Sequence, residues 1–464
     1  MSIKKTIFRE YDIRGQLLED ELSEENCKII GKAFGSTLKK HNINETIVGF
    51  DAREYSERLK NAFVAGVLST GINVVEIGRV LTPIAYFAQY HFKIKGVAII
   101  TASHNPNGWS GFKLGYDLAT TLLPNDIKQL YKMILDEDFT KGKGEMKKES
   151  GIIPVYGDYI IQKVNIKKPL KVVVNAGNGT AGPIVPLILK KAGCEIIEQF
   201  CNIDFDFPNH EPNPASLKAL NALSSKVKEV NADIGLGFDG DGDRLGVVDE
   251  KGQVVWPDRF MILLSRQVLK EKPGSKIVFD VKCSQSLIEE IEKHGGDPVM
   301  WKTGHSYIKQ KAKEVDAALA GERSGHIFYR HGYYGYDDAT FAALKLLEYL
   351  SCQNKPLSEV MLDTPQYITS PAWHADCADE IKYDIVDKLT EELKREYGEN
   401  RVIDINGARV KFDNGWGLVR ASSNLPVLVL VFESKTKKGL EEIQDLFRKK
   451  LAKYPEIGKE WKSG

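Results

Sequence analysis

Short β-branched runs recur along the chain, each closing on an acid or an amide: Ile47-Val-Gly-Phe-Asp51, Val172-Val-Val-Asn175 and Ile277-Val-Phe-Asp280. Continuous apolar runs of this length predict strands buried on both faces. A helical stretch follows each of them, then a glycine, then a second strand. The second strands read Gly71-Ile-Asn-Val-Val-Glu-Ile77, Gly193-Cys-Glu-Ile-Ile197, and Gly295 leading into Val299-Met-Trp301. Strand, helix, glycine stop and strand is the signature of a βαβ unit. The copies lie about a hundred residues apart, longer than any solenoid period, and predict three similar α/β domains.

The last hundred or so residues follow another pattern. A helix is expected over 379–397, short strands over 407–412, 416–421 and 427–433, and a closing helix from Lys438, an α+β module rather than a fourth copy. Polar, glycine-rich Lys141-Gly-Lys-Gly-Glu-Met-Lys-Lys-Glu-Ser-Gly151 suits a linker, Glu250-Lys-Gly252 a tight turn, and Asp363-Thr-Pro365 the passage into the last module. The expected domains are therefore 1–152, 153–252, 253–366 and 367–464.

Composition narrows the class of molecule. At 464 residues the chain exceeds one ordinary core. Lys plus Arg and Asp plus Glu each number 64, so the net charge is zero and neither a nucleic-acid nor a membrane-surface partner is expected. The N-terminal stretch lacks the apolar core of a signal peptide, and no apolar run is long enough for a membrane-spanning helix. Cys27, Cys194, Cys201, Cys283, Cys352 and Cys377 show no paired metal-type spacing and read as reduced thiols of a cytoplasmic protein. Monomer and homodimer both remain open.

The candidate chemistry concentrates in Asp239-Gly-Asp-Gly-Asp-Arg244. Three carboxylates at alternate positions repel one another unless a cation holds them, and hard divalent ions such as Mg²⁺ prefer oxygen ligands. Glycines between them let the side chains turn to one point, where a flat strand would set them in a row. Arg244 follows directly and suits a site that holds a metal and a phosphate together. Apolar, strand-like flanks on both sides argue against a solvated acidic loop. An EF-hand would find its twelfth-position acid in Glu250, but its sixth position, where glycine is needed, is Arg244.

A second cluster, Thr101-Ala-Ser-His-Asn-Pro-Asn-Gly-Trp-Ser-Gly-Phe-Lys-Leu-Gly115, follows the apolar strand Gly96-Val-Ala-Ile-Ile100. Ser103 therefore lies in an approachable loop just past a buried strand. A hydrolase pair with His104 is disfavoured, because adjacent side chains rarely face each other and the Gly-x-Ser-x-Gly elbow is absent.

Together the Thr-Ala-Ser-His-Asn-Pro and Asp-Gly-Asp-Gly-Asp-Arg loops resemble the two strongest marks of the α-D-phosphohexomutases, and within them the bifunctional phosphomannomutase/phosphoglucomutase group. The resemblance continues through Tyr11-Asp-Ile-Arg-Gly15, Asp280-Val-Lys-Cys-Ser284, Lys302-Thr-Gly-His-Ser306, Gly321-Glu-Arg-Ser-Gly-His326 and Tyr336-Asp-Asp338, in the family's order. It implies three similar α/β domains with mixed sheets plus a smaller C-terminal α+β domain, around a central cleft. It also implies reversible phosphoryl transfer between the 1- and 6-positions of a mannose or glucose phosphate. Ser103 would carry the phosphoryl group, with one Mg²⁺ per chain held by Ser103, Asp239, Asp241 and Asp243, and a hexose 1,6-bisphosphate as intermediate and activator. Lys113 and His305 would handle protons, since their pKa values are tunable, while Arg14 and Arg244 stabilise charge. Lys282, Glu322, Ser324 and His326 would bind substrate, and Arg420, Ser422, Ser423 and Asn424 its non-transferring phosphate.

Some positions depart from that pattern. The phosphate loop reads Arg420-Ala-Ser-Ser-Asn-Leu-Pro426, with Leu425 in place of a polar residue, and Val431 stands where an arginine often follows. Arg323 replaces an apolar or amide side chain in the sugar loop and is expected either to point into solvent or to alter the pocket. The alternatives are a phosphoglucosamine mutase, disfavoured by the form of that loop, and a non-catalytic sugar-phosphate-binding relative, disfavoured because Ser103, the aspartates and His305 are all present.

Overall fold

Each predicted βαβ unit forms, and each is built around one central strand. In the computed structural model, which describes residues 3–423 and 425–463, the first such strand is Glu45–Phe50. It pairs in parallel with Asn73–Arg79 on one side and Gly96–Ile100 on the other, and the helix Ser56–Leu68 makes the crossover. Antiparallel Trp109–Gly115 and Ile13–Gln16 extend this sheet at one edge, and parallel Met146–Lys148 extends it at the other. The second copy centres on Lys171–Asn175, parallel to Glu195–Gln199 and Ile234–Phe238, and Leu245–Asp249 and Val254–Val255 continue it antiparallel. The third centres on Lys276–Asp280, parallel to Asp297–Trp301 and Leu319–Gly321. The glycine stops Gly71, Gly193 and Gly295 all have positive φ, at 83°, 102° and 72°, a conformation that costs a residue with a Cβ and costs glycine nothing.

The C-terminal module is a seven-stranded antiparallel sheet, ordered Val402–Ile403, Ala408–Phe412, Gly415–Ala421, Val427–Ser434, Trp373–Asp376 and Trp461–Ser463, with Ile368–Thr369 pairing Val427–Ser434 off that path. Helices Lys382–Tyr397 and Lys437–Leu451 cover one face, where Leu389, Leu393, Phe432 and Phe447 share an apolar core. The first of these helices begins at Lys382 rather than 379, and the Lys382 ammonium bonds back to the Asp379 carboxylate at 2.6 Å.

Two compact units emerge. One comprises Met1–Leu264 with Ser324–Glu359, and the other Ser265–Arg323 with Val360–Gly464. The strands Gly96–Ile100, Ile234–Phe238 and Lys276–Asp280 have apolar, buried interiors that leave their polar chemistry for the carboxyl end, whereas Arg14, Lys113 and Arg420 lie within strands. Among the described residues no helix is long and apolar enough to cross a membrane.

Candidate active site

In the first unit, the strand Gly96–Ile100 delivers Ser103 into a tightly held loop. Ser103 is buried, not exposed as its place in a loop past a buried strand predicts, and its φ of 50° lies in the left-handed region, which costs a side-chain-bearing residue roughly 1–2 kcal/mol. Arginines hold the backbone there. Arg14 Nη1 donates to the Ala102 carbonyl at 2.8 Å and to Asn105 Oδ1 at 2.7 Å, while Arg53 Nη2 donates to the carbonyls of Ser103 at 3.0 Å and Asn105 at 2.6 Å. The buried Asp51 carboxylate pairs with Arg53 and accepts from Thr101 Oγ1 at 2.9 Å and the Ala102 amide at 3.2 Å. Asp51 closes the first predicted strand, so its position was legible, but nothing in the spacing tied it or Arg53 to the serine.

The three aspartates occupy the turn between Ile234–Phe238 and Leu245–Asp249, fully buried, with one oxygen from each within 4.8 Å of the others. Ser103 Oγ donates to Asp239 Oδ2 at 2.7 Å. A side chain on Gly240 would place its Cβ 2.4 Å from the Ser103 carbonyl, so only glycine lets the two loops come this close. Lys113 Nζ reaches both Asp241, at 2.8 Å, and Asp243, and Thr82 Oγ1 donates to Asp241 at 2.6 Å.

Burial and the charges of Asp243 and Asp241 push the Asp239 carboxyl well above its ordinary range. Burial and Asp243 push Asp241 up too, but the ammonium of Lys113 and the bonds from Lys113 and Thr82 win and hold it below. At Asp243 burial again pushes up, and Lys113 and His326 overcome it. Burial works against the Lys113 ammonium, yet Asp241 and Asp243 raise its pKa, so it keeps its proton and is held as a cation.

These residues suit a divalent metal. Three buried carboxylates share too little positive charge, and Asp241 Oδ1 is buried with no hydrogen-bond partner. The donors are all oxygen, the preference of a hard cation. A second group, Asp243, His326 and Asp337, also comes within ligand distance, with Arg244 Nε 3.3 Å from His326 Nε2.

Other first-unit residues gather here. Arg244 lies 4.0 Å from Asp239 through Nε, and its amide donates to Asp239 Oδ1 at 3.1 Å. Ser324 Oγ lies 3.1 Å from His326 Nδ1, and His326 Nε2 lies 3.3 Å from Asp243 Oδ1. His104, discounted above as a neighbour unable to face Ser103, does place Nδ1 3.2 Å from Ser103 Oγ. The left-handed turn at Ser103 brings the two side chains together. Burial and the charges of Arg244 and Arg14 hold the imidazole of His104 well below its ordinary pKa, and so neutral.

In the second unit, Lys282 Nζ lies 3.3 Å from Asp280 Oδ2. Burial pushes the Asp280 carboxyl up, but Lys282, the Arg323 amide and the side chains of Thr303 and Cys283 hold it below its usual range. The carbonyls on either side of Lys282, those of Val281 and Cys283, both accept from the buried Arg409 Nη1 at 2.7 Å. Sequence reasoning missed Arg409, a charge within a strand that no motif marks. His305 is buried at the start of the helix His305–Glu314, and Glu322 Oε1 accepts from the Gly304 amide at 2.6 Å. Arg323 is buried rather than solvated, and Nη2 donates to the Ser370 carbonyl at 3.0 Å. Arg420 Nη2 donates to Ser423 Oγ at 3.2 Å, while its Nε is buried with no hydrogen-bond partner. The buried Lys382 ammonium underpins the loop through the carbonyls of Ser422 and Leu425. Asn424 lies outside the described residues.

Comparison with known proteins agrees along the whole chain. Family models described as phosphoglucomutase/phosphomannomutase match in order: alpha/beta/alpha domain I over residues 5–141, domain II over 154–252, domain III over 256–367, and the C-terminal domain over 375–450. A Pseudomonas putida protein named phosphomannomutase/phosphoglucomutase is 41% identical over 98% of this chain and 98% of its own length. A Neisseria gonorrhoeae protein named phosphoglucomutase is 37% identical over 98% and 99%. A crystal structure of a phosphoglucomutase/phosphomannomutase family protein from Burkholderia thailandensis superposes with a TM-score of 0.91 at 37% identity, covering 98% of this chain and 99% of that one.

Proposed function

The chain belongs to the phosphoglucomutase/phosphomannomutase family, and on that footing we propose that it moves a phosphoryl group reversibly between the 1- and 6-positions of a mannose or glucose phosphate. The observation that carries this reading is the Ser103 hydroxyl, 2.7 Å from Asp239 within a cluster of three buried carboxylates. A hydroxyl so placed is a phosphoryl acceptor beside a metal site, an arrangement suited to group transfer by positioning and charge.

Ser103 would carry the phosphoryl group, give it to the free hydroxyl of a hexose monophosphate, and take the other phosphate back from the bisphosphate so formed. Asp239, Asp241 and Asp243 with a Ser103 oxygen would hold Mg²⁺, which when bound supplies positive charge to the transferring phosphoryl group. Arg14 and Arg244 add fixed charge in the first unit, and Lys113, held as a cation, adds charge and hydrogen-bond donors there. Ser324 and His326 offer hydrogen bonds to a sugar hydroxyl. In the second unit His305 handles a proton, Glu322 and Lys282 meet the sugar, and Arg420, Ser422, Ser423 and Asn424 take the non-transferring phosphate.

A coupled assay with glucose 1-phosphate, mannose 1-phosphate and glucosamine 1-phosphate, primed with a trace of hexose bisphosphate and Mg²⁺, tests the reading. Turnover of the two neutral sugars is expected, and turnover of the amino sugar alone would overturn it. Intact mass should show one phosphate that Ser103→Ala removes together with activity. Full activity in that variant would end the phosphoserine route.

A further inference from the structure

The phosphate loop of this chain is short of charge, since Leu425 and Val431 contribute none. The strand beside it carries a histidine, His374, that no sequence motif marks. In the C-terminal sheet His374 pairs directly with Val429, and Val429 pairs directly with Arg420. Directly opposed residues of antiparallel strands point to the same side. His374, Val429 and Arg420 therefore form one row on one face. On that face Val429, Val427 and Val431 pack with Val281, the residue before Lys282, in a shared apolar cluster. The backbone of Lys282 is fixed against the same sheet by Arg409 from the strand Ala408–Phe412. The His374 imidazole thus shares its row with Arg420, and the charge of Lys282, anchored against the same sheet, reaches it as well.

This grouping does not serve the fold. Burial, then the charges of Lys282 and Arg420, lower the pKa of His374, and only Asp376 opposes them. Asp376 is itself bonded at 2.9 Å by Lys462, the residue opposite His374 on the strand Trp461–Ser463. Lys282 has a carboxylate, Asp280, at 3.3 Å. Arg420 makes no ion pair among the described residues, and its Nε is buried without a partner. An uncompensated guanidinium beside a neutral imidazole is an anion site awaiting its anion.

We propose that His374 is a phosphate-binding residue of this chain, which with Arg420 and Lys282 receives the non-transferring phosphate of the hexose phosphate. The inference rests on the hexose-phosphate reading of the function. A dianion entering between the two cations reverses the local field. The imidazole then takes up a proton from solvent and donates a charge-assisted hydrogen bond, supplying the positive charge that Val431 does not and the hydrogen bond that Leu425 does not.

The test is calorimetric binding of glucose 6-phosphate to the full chain in a Ser103→Ala background, near pH 7.5, in buffers of different ionisation enthalpy. Binding is expected to take up a substantial fraction of a proton. His374→Gln should lose most of that uptake and bind roughly tenfold more weakly, while His374→Lys, a fixed cation, should lose the uptake but keep much of the affinity. Unchanged uptake and affinity in His374→Gln would overturn the proposal. Ring NMR of His374 in the unsubstituted chain gives a second readout independent of any variant's folding. Its titration midpoint should rise when the sugar phosphate binds, and a static midpoint would overturn the assignment equally. With Ser103 intact, mutase turnover separates the two failures: absent turnover with proton uptake present sinks the mutase reading, and turnover with no role for His374 sinks this inference alone.

Discussion

Ser103 is held in a backbone conformation that serine rarely adopts, and the residues that hold it there are two arginines, Arg53 buried and Arg14 partly so, rather than the three aspartates. Arg53 is the more exposed to test, because one guanidinium pairs with Asp51 while bonding the carbonyls of Ser103 and Asn105. A lysine has the charge but not the planar fork, so it can keep the ion pair and must surrender the carbonyls. Arg53→Lys is expected to fold, to lose kcat by on the order of 10²-fold through misplacement of Ser103, and to carry less phosphate by intact mass. Wild-type phosphate occupancy and kcat in that variant would show that the loop holds itself. The chemistry-bearing residues of this site were legible as residues: a serine past a buried strand, and three acids between glycines. Arg53, Thr82 and Arg409 were not, because each acts on something distant in the chain and no spacing records a long-range contact.

At the scale of an element, the helix Ala339–Ser351 shows a capping residue with a second life. Asp338 caps it by accepting from the Phe341 amide at 2.9 Å, and it also accepts from the hydroxyls of Tyr156 and Tyr333 at 2.8 Å. Burial nevertheless outweighs those bonds and pushes its carboxyl up to about 6, against an ordinary 3.8. Between those two values the folded chain binds a proton that the unfolded chain does not. Stability from this group is therefore greatest below the lower value and falls as pH rises through the window, by on the order of 2–3 kcal/mol. Asp338→Asn cannot ionise and keeps an acceptor for the cap. Urea unfolding at several pH values between about 4 and 7 should show the wild type losing stability relative to the variant as pH rises. Parallel profiles would place the carboxyl in its ordinary range. The strands and helices themselves were legible where a run of one period ended in a glycine or an acid. Their exact ends shifted by a few residues: the C-terminal module's first helix starts at Lys382, whose ammonium pairs with Asp379, the expected start.

For the whole molecule, the division into two units makes the ligands separable probes. All three aspartates belong to the unit Met1–Leu264 with Ser324–Glu359, and Arg420, Lys282 and His374 belong to the other. Differential scanning calorimetry should therefore find that Mg²⁺ raises the transition of the first unit and inorganic phosphate that of the second, each as a ligand that binds only the folded form. Equal shifts of both transitions by each ligand would contradict the assignment. Chelation should abolish turnover while the phosphate on Ser103 persists by mass, and added Mg²⁺ should restore the rate. Loss of the phosphate with the metal would tie the two together covalently or sterically.

The amino-acid order alone determined the three βαβ copies, the different C-terminal module, the acidic loop and the serine loop past a buried strand, because each is written in residues close together in the chain; that the serine is buried was decided by packing. Period, turn chemistry and charge repulsion all act over a few positions. Tertiary structure decided which distant residues meet: Arg53 with Ser103, Lys113 with Asp241 and Asp243, His374 in line with Arg420. It also decided the protonation of those groups, since burial and neighbouring charge set a pKa and neither is a property of local sequence. Even the division into units came from packing. Residues 265–323 and 324–359 follow one another in the chain, yet they belong to different units because their buried contacts do.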